Sequence, residues 1–471
     1  MSLDPPAPQD IVIVGASGDL SRRKLLPALY NLTAADLLPR RGRIIGLARR
    51  DLDDESFREL ARESIAQFSR IGFEEKLWAG LASRLTFVHL DEDGYRDLAR
   101  PDRESERLVY LAVPPSAVPG IVGNLGGAGL ISGTRLVVEK PFGSDLDSAQ
   151  EMNRAIHDIF DESQVFRIDH YLGKETVQNI LVFRFGNAVF ERVWNRDAID
   201  HMQITVAESI GVEGRGAFYE EAGALRDIVQ NHVFQVLSLL TMEPPVSLMS
   251  EEIRDEKVKV FSAMRPLDPA NTIRGQYVGG TIDGEAVPGY REEPGVAADS
   301  VTETFFAARV EIDSWRWAGV PFYLRTGKRL PRRATEVSIV FRDAPLPFFE
   351  GSDVQKLEAN HLTLHIQPEE GINFSFVAKQ PGPEVTVQPV SMDFSYRDSF
   401  GIEPTAAYER LLHDAMDGDH TLFAREDSVE RGWMVVQPAL ENPAPICTYA
   451  AGSWGPPEAD ELIAPRTWHV R

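Results

Sequence analysis

Between residues 10 and 170 the chain alternates short, almost uninterrupted apolar runs with longer stretches of helical spacing. The runs are DIVIVG (10–15), RIIGLA (43–48), LTFVHL (85–90), RLVYLAV (107–113), RLVVEK (135–140) and VFRID (165–169). Runs without polar alternation suit strands buried on both faces, and intervening segments such as ESFRELARESIAQF carry the three-to-four-residue repeat of amphipathic helices. The pattern predicts βαβ units around a parallel sheet. It changes after residue 170, where helical stretches at 174–184 and 225–241 sit among alternating segments such as HMQITVAES, ETFFAARVEID, EVSIVFRD and HLTLHIQP. Alternation implies a mainly antiparallel sheet with one wet face. The expected organisation is an α/β domain over 1–170 and a larger α+β domain over 171–471.

Length supports that division, because 471 residues exceed what one ordinary core organises. Hydrophobic residues at 43% and charged residues at 26% are globular values, which excludes a disordered or fibrous chain. Against 49 Lys and Arg stand 72 Asp and Glu, and the net charge of −23 repels nucleic acid and anionic lipid. Small anions remain possible ligands, because basic clusters persist at Arg22-Arg23-Lys24, Arg49-Arg50 and Arg325 to Arg333. The single cysteine, Cys447, cannot close an intramolecular disulfide or build a multi-cysteine metal site, and no metal is expected. The opening MSLDPPAPQD lacks the basic and apolar blocks of a secretory signal, and no apolar run reaches membrane-spanning length. A cytoplasmic protein without membrane contact is expected.

The first run leads directly into GASGDLSRRKLLPALYNL, placing Gly15 and Gly18 in a strand-to-helix turn. Glycines there let backbone amides approach a pyrophosphate, and the following helix N-terminus favours the anion. Gly15, Ala16, Ser17, Gly18, Asp19 and Leu20 therefore form a candidate dinucleotide cradle in a Rossmann-like domain. The full G-x-G-x-x-G fingerprint is absent, since Ala16 and Ser17 separate the first two glycines and Leu20 or Ser21 takes the place of the third. Where an NAD site usually has a carboxylate after its second strand, this chain has Arg49. An arginine can clamp the 2′-phosphate of NADP, so NADP is expected, with NAD as a weaker second cofactor. Lys140, in Glu139-Lys140-Pro141, ends the fifth strand at the sheet edge where such folds bind ligands.

The sixth strand runs into RIDHYLGKE, where His170, Tyr171 and Lys174 offer three hydrogen-bond donors to one dianion at a helix start. Further on, GALRDIVQNHVFQVLSLL places His232 on the apolar face of a helix. Oxidising a hydroxylated carbon needs a base near neutral pH, which suits imidazole. On an α-helix Asp227 falls on a poorly matched face for orienting that imidazole, which leaves Asp169 as the better carboxylate.

At these residues the chain resembles the glucose-6-phosphate dehydrogenase family, through GASGDLSRRKLLPALYNL, GLARR, YLAVPP, VVEKPFG, RIDHYLGKETVQN, EGRGAFYEEAGALRDIVQNH and GVPFYLRTGKRLPRR. The resemblance runs from about residue 10 into the 340s. It implies that His232 is the base for the anomeric hydroxyl of glucose 6-phosphate and that Asp169 orients it. It further implies that His170, Tyr171 and Lys174 hold the 6-phosphate, that Glu208 and Asp227 accept hydrogen bonds from ring hydroxyls, and that Lys140 and Lys328 complete the pocket. A homodimer or homotetramer follows from the same resemblance. Many family members carry a second lysine where this chain has Arg333, next to Arg332, and either arginine is a candidate for the phosphate. Glu191-Arg192 replaces a more usual Glu-Pro. Two other readings compete: a dehydrogenase of unphosphorylated sugar of the glucose-fructose oxidoreductase type, and a non-catalytic NADP sensor.

Overall fold

The computed structural model describes residues 4–91, 94–98, 106–282, 284–346, 359–383, 385–401 and 406–470. The chain packs as two units. The first comprises Met1–Lys174 with the returning segments Pro245–Asp255 and Thr405–Glu430, and the second Glu175–Pro244, Glu256–Pro404 and Arg431–Arg471.

The six apolar runs form β1 (Asp10–Val14), β2 (Ile44–Ala48), β3 (Leu85–His89), β4 (Arg107–Leu111), β5 (Thr134–Val138) and β6 (Val165–Ile168). They pair in parallel in the order β6-β5-β4-β1-β2-β3, with Phe423–Ala424 added antiparallel outside β6. β1, β2 and β4 are buried along their whole length, as uninterrupted apolar runs require. The strand order reverses at β1, between β2 and β4, and that switch point opens a crevice at the carboxyl edge.

The returning segment Thr405–Glu430 is fixed to this unit by buried polar groups. Arg70 donates twice to Glu409 at 2.8 Å, and Asn31 donates to the same carboxylate at 2.7 Å. The guanidinium of the buried Arg167 meets both oxygens of Glu162 at 2.8 and 2.7 Å, and His157 lies 3.0 Å from Glu162 and 3.0 Å from Glu426.

Among the described residues the second unit carries a nine-stranded sheet. Its order is Val387–Ser395, Gly371–Lys379, His361–Gln367, Ala334–Phe341, Ile199–Ala207, Phe322–Gly327, Phe305–Val310, Thr272–Val278, Ile446–Ala450. Ile199–Ala207 runs parallel to Phe322–Gly327, and Thr272–Val278 to Ile446–Ala450; the other pairings are antiparallel. The expected wet face is corrected at the centre, where Ile199–Ala207 and Ala334–Phe341 are buried on both faces. The polar residues that the alternation exposes are covered by the chain's last residues. Gln203 donates to the Thr467 carbonyl at 2.9 Å and accepts from the His469 amide at 2.7 Å, Arg466 pairs with Asp200 at 2.7 Å, and Trp468 lies over the buried Arg325. The outer strands Gly371–Lys379 and Val387–Ser395 stay partly wet.

The helix expected over 174–184 spans Glu175–Phe185. The one expected over 225–241 begins as a π-helix, Leu225–Val233, and continues as an α-helix, Phe234–Thr241.

Candidate active site

In the first unit the site follows from strand register. Val14 pairs with Leu47 and Leu111, Leu111 with Val138, and Val138 with Arg167. Two residues further along each strand stand Ala16, Arg49, Val113, Lys140 and Asp169, so three of the expected functional side chains leave the sheet along one edge.

At the switch point Gly15 adopts φ 90°, and a Cβ there would lie 2.2 Å from the Ala112 carbonyl oxygen. The turn is tied to β2, because the Gly15 and Ala16 amides donate to the Leu47 carbonyl at 2.8 and 3.0 Å. The Gly18 amide returns to the Gly15 carbonyl at 2.9 Å. Ala16 is buried, Ser17, Gly18 and Leu20 are half-buried, and Asp19 is exposed on the helix that follows, 3.9 Å from Arg23. Arg49 is exposed just beyond β2. The donor set suits a dinucleotide phosphate: a backbone cradle that only glycine permits, and a guanidinium at the end of the second strand.

Asp169 is buried and accepts the Tyr171 amide at 3.0 Å, which closes the turn of RIDHYLGKE. The Lys174 ammonium lies 3.9 Å from the centre of the Tyr171 ring, and the His170 and Tyr171 rings meet edge to face at 5.2 Å. The three expected phosphate donors are thus brought together. Beside them is a group that sequence reasoning missed. Glu139, the residue before Lys140, accepts hydrogen bonds from Tyr110 at 2.5 Å and from Tyr408 at 3.1 Å. Burial pushes the Glu139 carboxyl above its ordinary range and the Tyr110 phenol well above its own. No motif marks Tyr408, which arrives on the helix Ala407–Asp417 of the returning segment.

In the second unit Ala207 pairs with Gly327 and with Ala334, so Glu208, Lys328 and Arg333 sit at the same end of three adjacent strands. The Lys328 ammonium donates to Glu208 at 2.6 Å and lies 5.0 Å from the Tyr219 ring. Behind Lys328 the core cluster of Tyr219, Tyr277, Tyr290, Phe305, Leu330 and Tyr449 packs the sheet end. Tyr219 was not singled out by its sequence. Its phenol is held well above the ordinary range by burial first, then by Asp227, Glu208 and Glu303. Arg332 turns to Glu336 at 3.3 Å and to Trp454, whereas the exposed Arg333 reaches Gln367 at 3.0 Å. The two arginines therefore take different partners.

His232 is buried within the π-helical stretch Leu225–Val233. That geometry changes the relation to Asp227. In an i→i+5 turn residues five apart lie closer round the axis than the α-helical repeat sets them.

A family model described as "Glucose-6-phosphate dehydrogenase, NAD binding domain" matches residues 12–179, and one described as "Glucose-6-phosphate dehydrogenase, C-terminal domain" matches residues 181–469. The chain is 47% identical over 489 residues to glucose-6-phosphate 1-dehydrogenase of Aggregatibacter actinomycetemcomitans, covering 97% of this chain and 96% of the relative. Among solved structures it is similar to glucose-6-phosphate 1-dehydrogenase from Mycobacterium avium, with a TM-score of 0.89, 40% identity and 99% of each chain covered. It is likewise similar to a glucose-6-phosphate dehydrogenase in complex with its substrate glucose-6-phosphate, with a TM-score of 0.91, 36% identity and 100% of each chain covered.

Proposed function

The chain belongs to the glucose-6-phosphate dehydrogenase family, and from that premise we propose that it oxidises β-D-glucose 6-phosphate at C1 to 6-phosphoglucono-1,5-lactone with NADP as oxidant. The observation that carries this reading is the shared sheet edge in the first unit, where a glycine cradle, Arg49, Lys140 and the His170-Tyr171-Lys174 donors stand on neighbouring strands.

NADP, when bound, supplies the acceptor for the hydride that leaves C1. The backbone from Gly15 to Leu20 would hold its pyrophosphate and Arg49 its 2′-phosphate, with Lys140 facing both cofactor and sugar. His170, Tyr171 and Lys174 bind the 6-phosphate, where each contributes a donor to the dianion. His232 takes the proton from the C1 hydroxyl on its imidazole, and Asp169 is the carboxylate that orients this ring, as the family resemblance implies. Glu208 and Asp227 accept hydrogen bonds from sugar hydroxyls, and Lys328, held by Glu208, and Arg333 are further substrate contacts. The protein is proposed to work in the cytoplasm as a homodimer or homotetramer; among the described residues no helix is long and apolar enough to cross a membrane.

The test is formation of reduced dinucleotide with glucose 6-phosphate, with glucose, and with neither. Turnover that depends strongly on the phosphate is expected. Equal rates with both sugars would remove the phosphate role, and no turnover with either would favour a sensor.

A further inference from the structure

Tyr408 is held at the phosphate-donor turn from two sides. Its hydroxyl donates to Glu139 at 3.1 Å, and Glu139 is itself fixed by Tyr110 at 2.5 Å. Its ring lies 6.4 Å from that of His170 with 12° between the planes, a spacing at which aromatic rings attract. The backbones on either side also touch, because a Cβ on Gly173 would lie 2.9 Å from the Ala407 carbonyl oxygen. The next residue, Glu409, is clamped by Arg70 at 2.8 Å and Asn31 at 2.7 Å. A ring anchored through its hydroxyl, its neighbour and its backbone has little freedom to rotate.

We propose that Tyr408 is a positioning residue for sugar-phosphate binding, holding the His170 imidazole at the angle from which it donates to the phosphate, with Glu139 as the anchor of the tyrosine. The segment Thr405–Glu430 then has a functional reason to return to the first unit. The inference rests on the reading of His170 as a phosphate donor. It predicts an effect confined to the phosphate end of the substrate.

The experiment compares His170→Asn, Tyr408→Leu and Tyr408→Phe in the full chain. The readouts are the competitive inhibition constant of inorganic phosphate, the KM values for glucose 6-phosphate and NADP, and kcat. His170→Asn and Tyr408→Leu should each weaken phosphate by about tenfold, the order of one charge-assisted hydrogen bond lost. In Tyr408→Leu the NADP KM should stay within about twofold. Tyr408→Phe keeps the ring but loses the hydroxyl anchor to Glu139, and should raise the phosphate constant by about two- to threefold, the size of a partly lost contact.

An unchanged phosphate constant in Tyr408→Leu, with His170→Asn impaired, overturns the inference and leaves His170 in place. No effect in His170→Asn removes that reading and the inference together. Equal rises in both KM values in Tyr408→Leu identify a merely structural role and also overturn it. Should Tyr408→Leu fail to fold, Tyr408→Phe decides, since a phosphate constant raised without a change in the NADP KM supports the inference and an unmoved one contradicts it.

Discussion

Replacing Gly15 by alanine tests whether the turn after β1 is built around a missing side chain. The new Cβ would stand 2.2 Å from the Ala112 carbonyl oxygen and 2.9 Å from its carbon, so the backbone must part by roughly 1 Å to reach ordinary contact. At φ 90° an L-residue also carries a conformational cost of about 1–2 kcal/mol. A shift of that size loosens the bonds that tie the turn to its neighbours: Gly15 and Ala16 to Leu47 at 2.8 and 3.0 Å, and Ala112 to Val14 at 2.8 Å. At about 1 kcal/mol net for each bond, weakening two or three of them brings the total to roughly 3–5 kcal/mol. For a unit of this size that lowers the melting temperature by about 6 °C or more. Gly18→Ala is the matched control. Its Cβ meets the Gly15 carbonyl oxygen at 3.1 Å and its φ lies outside the left-handed region, so the loss should stay near 1 kcal/mol or below. Thermal unfolding and the NADP KM are measured for both variants. A Gly15→Ala protein that melts within about 2 °C of the parent and binds NADP equally well would refute the steric account.

Arg49→Ala should raise the NADP KM by about 10- to 100-fold, the loss of a charge-assisted pair, and leave the NAD KM within about twofold; equal effects on both would show that Arg49 does not read the 2′-phosphate. His201 is buried between Asp200 at 2.8 Å and Gln203 at 2.9 Å, and burial pushes its pKa down to about 4 from 6.5. The unfolded chain therefore takes up this proton first as pH falls, so stability is present above pH 6.5 and is lost on the way to about 4, by up to about 3 kcal/mol. Denaturant titrations should show a shallower loss across that window in His201→Gln, and parallel curves would contradict the assignment. Gly120 lies inside the helix Val118–Gly127 with nothing within 4 Å of an added Cβ, so Gly120→Ala should gain about 0.5–1 kcal/mol and melt higher; a lower melting temperature would reveal a contact the geometry does not show.

The first unit was legible because its strands are buried on both faces and its ligand groups leave consecutive strand ends, so that local sequence and position on the sheet coincide. Arg49, Lys140 and Asp169 could be placed from strand spacing alone. Tyr408 could not, because it reaches the site from a distant segment whose attachment depends on buried pairs such as Arg70 with Glu409. In the large sheet alternation misled at Gln203, and Arg325, read as the start of a basic cluster open to small anions, is buried. These side chains are polar in order to meet the final residues, among them Thr467, His469 and Trp468, and not water. The stretch Leu225–Val233 is π-helical, so the 3.6-residue repeat does not describe the spacing of Asp227 and His232, and the composition of LRDIVQNHV carries no sign of that.

The proposed reaction turns on His232 as the base for the sugar's C1 hydroxyl. The most direct measurement is steady-state kinetics of His232→Asn with glucose 6-phosphate and NADP, alongside the parent. With His232 as the base, kcat should fall by about 10²- to 10⁴-fold, the range of a lost general base, while the glucose 6-phosphate KM changes by no more than a few-fold. A kcat within about tenfold of the parent would contradict it.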